Sequence, residues 1–89
     1  MTELTDDLVT AGWTRSKDGK AIHKTFKFKN FRAAMAWMVR AGFEAEAMDH
    51  HPEWFNVYNR VEVKLTTHDT GGLTEKDIKL AEALETLQS

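Results

Sequence analysis

The chain's one proline separates two kinds of hydrophobic rhythm. Ahead of Pro52, the apolar residues Phe31, Ala34, Met35, Met38, Ala41 and Ala45 recur at helical spacing. After it, Val61, Val63 and Leu65 alternate with Glu62, Lys64 and Thr66, the period of a half-buried strand. A proline disfavours helical geometry at the residue before it, so the long helix, capped at its start by Asn30, ends by about Asp49. Gly42 inside that helix predicts close packing or a bend. The junction that remains reads "AMDHHPEW", residues 47–54, and holds two of the four histidines side by side.

The other segments can be read in the same way. Thr5 caps a short helix with Asp6 and Asp7 in its first turn, and Gly12 ends it. Asp18-Gly19 predicts a hairpin turn. Beyond the turn, Ile22, Phe26 and Phe28 share one strand face, while His23, Thr25, Lys27 and Lys29 share the other. Lys24 interrupts the apolar parity and belongs at a rim. A second hairpin turns at Asn59-Arg60, with Phe55 and Val57 on one face of its first strand and Trp54 and Tyr58 on the other. Thr74 opens a last helix with Ile78, Ala81, Leu84 and Leu87 inward. The order α-β-β-α-β-β-α predicts an α+β fold: one four-stranded antiparallel sheet with three helices on one face. Its free edges invite pairing with a second copy.

At 89 residues the chain is expected to form a single domain, 1–89. Twelve basic against fourteen acidic side chains, net charge -2, give no global footprint for nucleic acid. Absence of cysteine removes disulfides, a thiolate nucleophile and a cysteine zinc site, and fits a cytoplasmic setting. The N-terminus reads as neither a signal peptide nor a membrane span.

His50 and His51 at the junction support three readings. An adjacent pair in a loop is commonly a surface feature or a local hydrogen-bonding device. With His68, which the polar parity of the last strand turns away from the helices, the pair could work as acid and base on one substrate. Three histidines and Glu46 would also satisfy zinc in number, although the spacing matches no standard zinc signature. Glu46, four residues before His50, is within reach of its ring on a continuing helix. Trp54 and Tyr58 are placed to line the same side as the histidines. Asp77 stands three residues after Thr74, the spacing of a capping box. Trp13 and Trp37 read as core or subunit contacts, Met35, Met38 and Met48 as core filler, His23 as solvated, and Lys24, Lys27 and Lys29 as a wet strand face.

Together Glu46, His50-His51-Pro52, Trp54, Tyr58, His68 and Asp77, within the text "HHPEWFNVYNRVEVKLTTHDTGGLTEKD", resemble the pterin-4a-carbinolamine dehydratase family. The resemblance spans nearly the whole chain and departs only in a short N-terminal region. It implies the α+β fold read above. It also implies a dehydratase that removes water from 4a-hydroxytetrahydropterin to give quinonoid dihydropterin, in the recycling of the cofactor of aromatic amino-acid hydroxylases. Catalytic roles are implied for His50, His51 and His68, and substrate-binding roles for Glu46, Pro52, Trp54 and Asp77. No metal and no organic cofactor is implied. The implied partners are the pterin and further copies of the chain in a dimer or tetramer, with no membrane and no direct nucleic acid. Some animal members also bind a homeodomain transcription factor, so the alternative is a homodimeric coactivator or binding module for such a factor or a hydroxylase. A metal-dependent hydrolase using the three histidines is the other alternative.

Overall fold

The computed structural model describes residues 2–88. The chain runs α1 (Asp6–Ala11), β1 (Thr14–Arg15), β2 (Ile22–Lys27), α2 (Phe31–Ala47), β3 (Glu53–Val57), β4 (Arg60–Leu65), a 3-10 turn (His68–Thr70) and α3 (Glu75–Gln88). The four strands form one antiparallel sheet in the order β1-β2-β4-β3. The three helices bury their apolar residues in one cluster with Ile22, Phe26, Val61, Val63 and Leu65 from the sheet. This is the α+β architecture expected. Among the described residues no helix is long and apolar enough to cross a membrane.

Local chemistry sets the boundaries. Thr5 Oγ1 accepts from the Leu8 amide to start α1, and Gly12, at φ 111°, ends it with its amide on Leu8 and Val9. Asn30 Oδ1 accepts from the Ala33 amide to start α2. In the first hairpin Asp18 Oδ1 accepts from the Ser16 hydroxyl at 2.6 Å and the Lys20 amide at 2.9 Å, while Gly19 takes φ 74°. Those two bonds, the Ser16 hydroxyl first, hold the Asp18 carboxyl below its ordinary range.

Several expectations shift by one position. The second hairpin turns at Tyr58-Asn59, not Asn59-Arg60, because Val57 pairs with Arg60 and Tyr58 takes φ 49°. Moving a two-residue turn by one position changes each cross-strand partner by two residues and keeps the faces, so Trp54 stands opposite an inward residue of β4 with either turn. Trp54 pairs with Val63 and therefore faces the helices, its ring 6.3 Å from that of Trp37, whereas Phe55 and Val57 lie on the open face. Lys24 also faces the helices and not the wet side. Its ammonium meets Glu85 at 2.6 Å, above the Phe26 ring, and Glu85 takes the Trp13 indole N–H as well.

The inward stripe of α2 is Ala34, Trp37, Ala41 and Ala45. Phe31 and Met35, expected inward, are exposed, together with Val39 and Phe43. At about 100° per residue these form a second stripe more than a third of a turn round the helix. The reason is size: three alanines let the helix axis approach the sheet, and Trp37 alone fills the gap. Gly42 lies off the packed stripe, and a Cβ there would meet nothing within 4 Å, so it marks no close contact.

Candidate active site

The histidine pair is parted by the way α2 ends. Asp49 adopts the left-handed conformation, φ 52°, which aspartate tolerates better than most side chains. Its amide bonds the Glu46 carbonyl at 3.1 Å and the His50 amide bonds the Ala45 carbonyl at 3.0 Å. This is the double bond of a Schellman ending, with Asp49 where glycine is usual. The chain reverses there, so His50 turns into the protein and His51 turns out.

His50 is buried, and its Nε2 lies 2.6 Å from Oδ1 of Asp77, a carboxylate with no exposed surface. A buried carboxylate is tolerated only when its oxygens are bonded. Oδ2 of Asp77 accepts from the Thr74 amide at 2.9 Å and from the Thr67 hydroxyl at 2.8 Å. Asp77 thus completes the capping box expected of it and also engages a histidine.

His51 is exposed, and its Nε2 lies 2.8 Å from Glu46 Oε1. The expected Glu46–His50 contact does not form, because α2 ends at Ala47 and the Asp49 reversal carries His50 away from that helix face. His68 is exposed and meets Glu53 at 3.2 Å. It belongs to the 3-10 turn and not to the polar parity of β4, which ends at Leu65. That turn sits in a short loop closed by a Thr67–Gly72 bridge.

His50, His51 and His68 line one cleft of about 290 Å³, with Asp49, Thr66, Thr67, Asp69 and Lys76. Glu46 reaches the cleft through His51, and Asp77 through His50 and Thr67. Pro52 and Trp54 are not among its lining residues: Pro52 sets the entry to β3, and Trp54 packs on the core cluster. Tyr58, at the far hairpin end, is not among them either. Thr67, unremarked in the sequence, is the addition. Its signal was its place beside His68 and seven residues before Thr74. Each imidazole has its own carboxylate, and among the described residues no group of three or more His, Cys, Asp or Glu could hold a metal ion.

A depression of about 350 Å³ on the sheet's open face is larger, but its only histidine, His23, bonds the Thr14 hydroxyl and no carboxylate. Acid–base chemistry needs paired titrating groups, so the smaller cleft is the candidate site. A carboxylate on one ring nitrogen fixes the tautomer of an imidazole and directs its other nitrogen to act. Three such rings around one space can supply a proton at one substrate atom and accept one at another.

The family model for pterin 4 alpha carbinolamine dehydratase matches residues 1–87. The chain belongs to this family. A Rhizobium rhizogenes protein provisionally named as a pterin-4-alpha-carbinolamine dehydratase is 57% identical over 74 residues, 83% of this chain and 73% of that one. A Jannaschia protein with the same provisional name is 54% identical over 80 residues, 90% of this chain and 82% of that one. The crystal structure of a transcriptional coactivator/pterin dehydratase from Brucella melitensis superposes with a TM-score of 0.87 at 42% identity, covering 99% of this chain and 100% of that chain. The likeness therefore extends over nearly the whole chain and its fold.

Proposed function

We propose that the protein is a hydro-lyase that converts a 4a-hydroxytetrahydropterin to quinonoid dihydropterin and water, using the imidazoles of the cleft. The observation that carries this reading is the gathering of His50, His51 and His68 on one cleft, each with a carboxylate at 2.6–3.2 Å. Family membership supplies the substrate class.

The chemistry needs one bond broken and one formed. The C4a–O bond breaks, and the departing hydroxide takes a proton and leaves as water. N5 gives up its proton, and its electron pair forms the C4a=N5 bond. In this reading His50 and His51 act at the hydroxyl-bearing carbon and its leaving group. His68 positions the pterin and relays the proton released at N5. One proton enters and one leaves, so the set of imidazoles returns to its starting state. Positioned acid–base groups of this kind contribute roughly 10²–10⁴-fold each.

The test is the rate at which the protein consumes 4a-hydroxytetrahydropterin, followed by quinonoid formation, with and without chelator. The expected result is acceleration over the uncatalysed dehydration, unchanged by chelator. Inactivity after chelation, reversed by stoichiometric zinc, would establish the metal-dependent alternative instead.

A further inference from the structure

The buried side of the site is held by a residue outside the histidine motif. A carboxylate only accepts, and a backbone N–H only donates. His50 must therefore donate from Nε2 to Asp77 Oδ1, and Thr74 N–H donates to Oδ2. Thr67 Oγ1 lies 2.8 Å from Oδ2 and 2.7 Å from Thr74 Oγ1, and it has a single proton, which goes to the carboxylate. Thr74 then gives its hydroxyl proton to Thr67 Oγ1 and receives the Lys76 amide, 3.3 Å away, on its own oxygen. Every proton has one place. In its neutral form His50 is left with Nδ1 as its only acceptor.

Thr67 also works through its backbone. Its amide bonds the Gly72 carbonyl at 3.0 Å, and the Gly72 amide bonds its carbonyl at 3.2 Å, closing the loop that carries His68. We propose that Thr67 is a positioning residue of the site: its hydroxyl locks the Asp77 carboxylate in the rotation that fixes the Nε2–H tautomer of His50, while its backbone sets His68 beside it. An aspartate's terminal torsion is broad on its own, so the lock must come from its partners. The Thr74 amide holds one oxygen, and the Thr67 hydroxyl supplies the second restraint.

The activity arm of the test rests on the dehydratase reading, whereas a spectroscopic arm does not. The ring nitrogen shifts of ¹⁵N-histidine report tautomer directly in the folded protein. Thr67→Val keeps the shape and the extended backbone but removes the hydroxyl. Thr67→Ser keeps the hydroxyl but removes the methyl. The Val variant should shift the His50 ring nitrogens away from the pure Nε2–H pattern and lower kcat on the order of 10-fold with KM little changed, as loss of a supporting partner does for metal-bound imidazoles. The Ser variant should keep the wild-type pattern and stay within about 2-fold in kcat. If Val does not fold, Thr67→Ala against Thr67→Ser gives the same contrast. Wild-type His50 shifts in the Val or Ala variant, or a Ser variant as altered as they are, would overturn the proposal. An inactive wild type with the predicted shifts would overturn the dehydratase reading and leave the positioning role standing.

Discussion

His50 and His51 are neighbours in sequence with the same kind of partner, yet they sit in opposite surroundings. The His50–Asp77 pair is buried and tied to α3 through the cap, whereas the side chains of His51 and Glu46 are 60% and 77% exposed. His68 and Glu53 resemble the second case. An exposed ion pair contributes at most about 1 kcal/mol and its members keep their rotational freedom. A buried carboxylate with three donors is rigid, and removing one member leaves the rest without partners. The cleft therefore joins one fixed imidazole to two adjustable ones. In the proposed reaction the buried ring would set the geometry, and the exposed rings would adjust to the substrate as its hydroxyl departs.

The largest effect belongs to Asp77. Asp77→Ala would leave the Thr74 amide, the Thr67 hydroxyl and the His50 ring without their acceptor. A stability loss of about 3–5 kcal/mol is expected. With a total stability for such domains of about 5–15 kcal/mol, urea unfolding should show the change directly. A midpoint near that of wild type would remove the distinction between the buried and exposed pairs.

The single histidine variants sharpen it. His50→Ala and His51→Ala should each lower kcat/KM by roughly 10²–10⁴-fold. Their stabilities should diverge: about 1–3 kcal/mol lost for His50→Ala, which strands Asp77 Oδ1, and within about 0.5 kcal/mol of wild type for His51→Ala. Equal stabilities would mean that burial does not separate the two rings.

The smallest effects belong to the exposed carboxylates. Glu46→Gln and Glu53→Gln should change stability by less than about 0.5 kcal/mol, and the activity loss should be far below that of the histidine variants. Thermal melts at low and high salt would check this. A strong destabilisation in either variant would show an ordered, costly pair where the account has an adjustable one.

Much of this was legible in the residues, because the signals were local. Thr5, Asn30 and Thr74 announced the helix starts, and Pro52 announced the change of period. The clustering of His50, His51 and His68 followed from the motif. What was not legible depended on single-residue geometry and on size. Trp54 went to the core instead of the cleft because it stands opposite Val63, on the helix side of the sheet. Alanines, not Phe31 and Met35, define the packed stripe of α2, since a helix lies close to a sheet only on its small residues. The left-handed Asp49 exchanged the expected partners, giving Glu46 to His51 and Asp77 to His50. Nothing in a helical or strand period marks a non-glycine residue at positive φ. Thr67 stayed hidden because its role exists only once α3 has brought Asp77 beneath it.

The central claim is that the imidazoles of this cleft perform the dehydration. The measurement that tests it most directly is kcat/KM for 4a-hydroxytetrahydropterin in the His50→Ala/His51→Ala double variant, with folding checked by circular dichroism. The account predicts a folded protein whose rate is scarcely above the uncatalysed reaction. Wild-type activity in that folded double variant would contradict it.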